Sequence, residues 1–90
     1  MAATIHAELL SEQEWSQLKQ HLGLPPRQAE ITRHILHGES DKQIARELGI
    51  SLPTVRTHTS RLFRKLGLSD RVELILYVFT CMRAHPEIYS

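Results

Sequence analysis

Thr57, Ser60, Arg61 and Arg64 stand at steps of three, one and three, the spacing of one helix face. They offer four hydrogen-bonding side chains, two of them cationic. Val55, Thr59, Leu62 and Leu66, at steps of four, three and four, take the opposite face. From 51 to 69 the chain carries four Lys/Arg and no Asp or Glu. A helix that docks by an apolar stripe and turns Arg, Thr and Ser outward suits reading base edges in a DNA groove. The same pattern also fits a solvated face on an ordinary amphipathic helix, and the surrounding chain decides between the two.

Further candidates flank that face. Arg64 and Lys65 suit phosphate contact, and a cation at a helix end also suits the negative end of the dipole. Thr54 suits a phosphate contact or a local hydrogen bond near the helix start. Lys42 and Gln43 stand at another helix start, where backbone N–H groups can meet a phosphate, while Gln43 also completes a cap. His58 suits packing or a local bond better than base reading.

Other chemistries find little support. There is no Gly-rich phosphate loop, no nucleophile elbow and no paired carboxylates with an adjacent His. Ser60 and His58, two residues apart on a helix, do not face each other. His34 and His37 are three apart, but no Cys or carboxylate pattern completes a zinc set. No catalytic residue, metal or cofactor is expected. Trp15 lies among acidic residues, which favours a core anchor over base stacking.

Ninety residues make one domain, or one domain plus an extra helix. Eleven Lys/Arg against ten Asp/Glu nearly cancel, but the charges are not evenly spread. Residues 1–26 carry Lys19 against Glu8, Glu12 and Glu14, whereas residues 27–71 carry nine basic and five acidic residues. An anionic partner feels that local excess more than the sum. The single Cys81 lies in an apolar run, where a small buried residue suffices, and one cysteine suits a reducing compartment. No signal-peptide pattern opens the chain, and the apolar stretch Leu74–Phe79 is too short to span a bilayer. A cytoplasmic location is the expectation.

The elements that must position these residues read as five helices, so the fold class is all-α. Ser11 with Glu14, and Ser40 with Gln43, are capping-box pairs. The first helix carries Trp15, Leu18 and Leu22 and ends at Gly23. Ile5, Leu9 and Leu10 before it could pack on it or fray. The second follows Pro25-Pro26, presents Ala29, Ile31, Ile35 and Leu36, and runs to His37-Gly38. The third presents Ile44, Ala45 and Leu48 and stops at Gly49. The fourth is capped by Ser51 and ends at Gly67. Only Gly49-Ile50-Ser51 separates the third from the fourth, a helix–turn–helix with apolar Ile50 closing over a core. The fifth starts at Ser69 or Asp70 and runs towards His85-Pro86. Its segment Glu73–Phe79 has strand-like composition, but the flanking signals favour helix.

The order Leu24-Pro25-Pro26-Arg27-Gln28, Gly38-Glu39-Ser40-Asp41-Lys42-Gln43-Ile44-Ala45, Leu48-Gly49-Ile50-Ser51, Thr54-Val55-Arg56-Thr57-His58, Arg64-Lys65-Leu66-Gly67 and Ser69-Asp70-Arg71-Val72-Glu73-Leu74 resembles the LuxR-type (GerE-like) helix-turn-helix domain of bacterial transcription regulators. The resemblance covers about residues 24–78 and keeps spacing as well as residue type. It divides the chain into an N-terminal helical extension, 1–23, and a helix-turn-helix domain, 24–90. It implies a four-helix domain whose third helix, here Leu52 to Leu66, enters the major groove. It also implies dimers through the next helix, here about Asp70 to Met82. By position, Arg56, Thr57 and Ser60 correspond to the family's base-facing residues; Arg61 joins them from the helical-face argument. Two departures stand at the domain start. Pro25 replaces the family's usual Thr and Gln28 its usual Glu, which removes a side-chain cap and a carboxylate. The family's domain usually follows a receiver or ligand-sensing domain, and the 23 residues ahead of it here are too few for either.

The expected function is sequence-specific binding of double-stranded DNA to regulate transcription. The rival is a protein-interaction module that docks on RNA polymerase or a signalling partner. The fifth helix is apolar almost all round, and such a helix needs cover on every face. Val72, Ile75, Leu76 and Phe79 suffice to close the domain core. Leu74, Tyr77, Val78 and Cys81 are then left for a second copy, giving a homodimer. The alternative cover for that patch is the N-terminal helix, through Trp15, Leu18 and Leu22.

Overall fold

The computed structural model describes residues 10–85. Ile5 and Leu9, read as packing or fraying, lie outside the described residues. Five helices follow one another: α1 Glu12–Leu22, α2 Pro26–Leu36, α3 Asp41–Leu48, α4 Leu52–Leu66 and α5 Arg71–Ala84. The described residues form no strand, and Glu73–Phe79 is helical despite its strand-like composition. None of the helices is long and apolar enough to cross a membrane.

Local chemistry fixes the boundaries. At both capping boxes the serine hydroxyl accepts from the backbone three residues on, and the Glu14 or Gln43 side chain accepts in return from the serine N–H. Ser51 and Asp70 cap α4 and α5 in the same sense, with Ser51 accepting from Thr54 N and Asp70 from Glu73 N. α2 begins instead at Pro25, which makes no side-chain cap. Gln28, the second departure from the family pattern, has its Oε1 buried without a partner among the described residues. Between α3 and α4 the chain reverses at Gly49, whose φ of 68° is open to glycine and strained for other residues. There Ile50 N–H donates to Ala45 O at 3.0 Å, ending α3 by a bond from beyond the helix.

One core joins all five helices. Leu18, Ile31, Ile35, Ile44, Val55, Leu62 and Leu74 are fully buried in it. α2 packs against α4 and α5, and α3 against α4. Ile50 is half-buried against the same core, as its place in the turn predicts. Thr32 is buried as well, its hydroxyl satisfied by donating to Gln28 O at 2.8 Å. α1 is pinned to α2 by Arg33, which pairs with Glu12 and lies over the Trp15 ring, 5.7 Å from its centroid. The hydrogen bond from Arg33, with its charge, holds the Glu12 carboxyl below its ordinary value of 4.5. At the other end of α1, the His21 ring lies 4.2 Å from that of His85.

α5 corrects an expectation. Val72, Leu76 and Phe79, assigned to the core, are 60%, 60% and 50% exposed. Leu74 and Val78, assigned to a partner, are 0% and 2% exposed and sit in the core with Met82. Tyr77 and Cys81 are half-buried against that core. Burial, and then the neighbouring Cys81 thiol, pushes the Tyr77 hydroxyl above its ordinary value. The physical reason is that α5 has too few polar residues to mark an outside. α2 packs against its inner face, and Leu18 and Leu22 of α1 belong to the same core cluster.

Candidate nucleic-acid interface

α4 positions the candidate site. Val55, Thr59 and Leu62 anchor it in the core, and Leu66 is half-buried at its end. The Thr59 hydroxyl is satisfied locally by donating to Arg56 O at 3.0 Å. With that stripe inside, Thr54, Arg56, Thr57, Ser60, Arg61, Arg64 and Lys65 are all exposed. The structure brings these seven onto the outer surface of one helix. His58 lies at the edge, half-buried.

Their bonding states differ. Arg61, Arg64, Lys65 and Ser60 have no hydrogen bond or ion pair among the described residues, so their donors are open to a ligand. Thr57 donates to Pro53 O at 3.1 Å, which leaves its oxygen as an acceptor. Thr54 Oγ1 lies 2.8 Å from Ser51 Oγ, the local bond weighed against a phosphate contact. Gln43 Oε1 accepts from Ser40 N at 2.8 Å, so its carbonyl serves the cap and only its amide NH2 remains for a ligand. Lys42 is exposed in the same first turn of α3. Lys42, Gln43 and Arg56 border one open groove of about 500 Å³ at the start of α3, so the two helix surfaces form a continuous face.

Arg56 is not free. Its Nε lies 3.6 Å from Asp41 Oδ2. Asp41 Oδ1 in turn accepts from Arg71 Nη2 at 2.9 Å, and Arg71 Nη1 donates to Glu39 O at 2.6 Å. One carboxylate thus links the start of α5, the start of α3 and the first turns of α4. Neither Asp41 nor Arg71 follows from helical periodicity as a site residue. The available signal was an acid in the first turn of α3, inside the most basic part of the chain.

A family model described as bacterial regulatory proteins, luxR family, matches residues 22–78. The chain is 39% identical over 57 residues to the transcriptional regulatory protein LiaR of Bacillus subtilis, covering 63% of this chain and 27% of LiaR. It is 43% identical over 54 residues to the transcriptional regulatory protein MctR of Rhizobium johnstonii, covering 60% of this chain and 25% of MctR. The Fimbriae Z protein of Salmonella typhimurium is 41% identical over 54 residues, 60% of this chain and 26% of that protein. The chain therefore spans about a quarter of the length of these relatives. No solved structure gives a significant match. With the family model covering more than half of its residues, the chain carries a helix-turn-helix domain and belongs to the luxR family of bacterial regulatory proteins.

Proposed function

We propose that the protein binds double-stranded DNA as a sequence-specific regulator of transcription, with α4 in the major groove. The observation that carries this reading is the outer face of α4. Seven polar or cationic side chains lie there in the open, with no acid on the helix to offset them. An α-helix fits the major groove, where each base pair presents a distinct set of donors and acceptors. Arg56, Thr57, Ser60 and Arg61 face the bases. Arg64 and Lys65, one turn on, meet phosphates, as do Lys42 and the open amide of Gln43 at the start of α3. Selection of bound sites from a random duplex library tests the assignment. Arg61→Ala is expected to relax base preference at one position, and Arg64→Ala to weaken all sequences alike. A preferred sequence unaltered by both Arg61→Ala and Arg56→Ala refutes it.

The protein acts as a homodimer through α5. Val72, Leu76 and Phe79 follow one another at i, i+4 and i+7, a single apolar stripe left open by α1 and by the rest of the described chain. A two-fold contact reuses the same stripe on both copies and sets two α4 helices on successive major-groove turns. Sedimentation at micromolar concentration is expected to show a dimer that Leu76→Glu dissociates. A monomer unaffected by that change contradicts the α5 contact.

A further inference from the structure

A basic DNA-facing surface has no electrostatic use for an acid, yet Asp41 lines its groove beside Lys42, Gln43 and Arg56. The carboxylate is held firmly on one side, since Arg71 binds Oδ1 and is itself fixed to Glu39 O. On the other side it faces Arg56 at Nε. The Asp41 side chain is 32% exposed and that of Arg56 is 65% exposed, so the acid is the more enclosed partner and the arginine the one that reaches outward. The contact uses the inner edge of the guanidinium. The two Nη groups, the fork that matches paired acceptors, make no hydrogen bond among the described residues.

We propose that Asp41 is a specificity-determining residue that positions Arg56 for DNA reading. It aims the free Nη fork at a neutral two-acceptor base edge and repels phosphates from it. The role rests on reading Arg56 as a base contact. Holding one edge of a long side chain removes rotamer freedom that binding would otherwise have to remove. A guanine offers O6 and N7 to the fork and carries no net charge. A phosphate at the same fork carries a full negative charge and meets Asp41 well within the Debye length of about 10 Å at 0.1 M salt. The acid therefore lowers the affinity of Arg56 for backbone more than its affinity for a base.

The test uses the full chain with two probes: the duplex ranked first in a random-library selection, and the unselected random duplex pool. Wild type, Asp41→Asn, Arg56→Ala and the double variant are compared. Asparagine removes the charge but keeps an oxygen for Arg71. Asp41→Asn is expected to lower the ratio of selected to random affinity about two- to fivefold, the range of an exposed ion pair. It should also steepen the salt slope on the random pool by about one, because Arg56 is then free to meet a phosphate. Both effects should vanish in the Arg56→Ala background. A ratio and slope that Asp41→Asn leaves unaltered, or alters equally with and without Arg56, overturn the proposal. The salt slope does not depend on the fraction of folded protein, so a destabilised variant still separates these outcomes. If Arg56→Ala itself leaves the selected sequence unchanged, the base contact fails and the role of Asp41 fails with it. If Arg56→Ala changes that sequence and Asp41→Asn does nothing, only the role of Asp41 fails.

Discussion

α4 and α5 each bury one stripe and leave another uncovered, but the uncovered chemistry is opposite. α4 turns out Arg, Thr, Ser and Lys, and α5 turns out Val72, Leu76 and Phe79. An open cationic face and an open apolar face call for different partners. A polyanion suits the first through charge and directed hydrogen bonds. A second copy suits the second through area removed from water. The pair also shows what makes a helix face readable. On α4 the polar residues mark the outside, so the apolar stripe has one place to go. On α5 nearly every stripe is apolar, and the helices it packs on, α2 foremost, decide which one is inside.

The contrast breaks most visibly at the core. Leu62→Ala on α4 and Leu74→Ala on α5 are both expected to cost about 2–5 kcal/mol in chemical denaturation, because each removes a fully buried side chain. Their exposed counterparts, Arg61→Ala and Leu76→Ala, should stay within about 0.5 kcal/mol for the monomer. A large loss from Leu76→Ala and a small one from Leu74→Ala in a monomer would show that α5 is turned the other way.

The next effect sharpens the α4 face. Arg61→Ala, and Arg56→Ala likewise, should cost about 1–3 kcal/mol of discrimination at one base position, measured by competition between single-base variants of the selected duplex. Arg64→Ala should spare that discrimination and reduce the salt slope by about one. Equal behaviour of Arg61→Ala and Arg64→Ala in both measurements would dissolve the division into base and phosphate contacts along α4.

The smallest effect concerns α1, which leaves both open faces uncovered. Its carboxylate Glu12 is held below 4.5 by Arg33. A depressed carboxyl contributes stability that is present above the unfolded value and lost as pH falls through the folded one. Melting temperature should therefore decline as pH is taken below about 4.5, and Glu12→Gln should remove part of that decline. Because Glu12 is exposed, the difference should be slight. Identical acid profiles for the two proteins would show that the Arg33 pair does not tie α1 down.

Much of the fold was legible because its signals are local. Ser11, Ser40, Ser51 and Asp70 announce helix starts, and Gly23, Gly49 and Gly67 announce ends, through bonds that span a few residues. The inner stripes of α1 to α4 follow from periodicity for the same reason. What escaped was decided at long range. The facing of α5 depends on α2, some forty residues earlier in the chain. The Arg71–Asp41 bond joins positions 30 residues apart, and no spacing rule anticipates it. Arg56 was legible as a base-facing position through the family resemblance, but its contact with Asp41 was not.

If the open face of α4, with the start of α3, meets the phosphates and bases of duplex DNA, binding must respond both to salt and to sequence. The most direct measurement is the affinity for the selected duplex and for a scrambled one between 50 and 200 mM salt. With about six phosphates contacted by the dimer, affinity for the selected duplex should fall roughly a thousandfold over that range while staying above that for the scrambled one. An affinity that does not change with salt, or no preference between the two duplexes, contradicts that contact and turns the α4 face towards a protein partner instead.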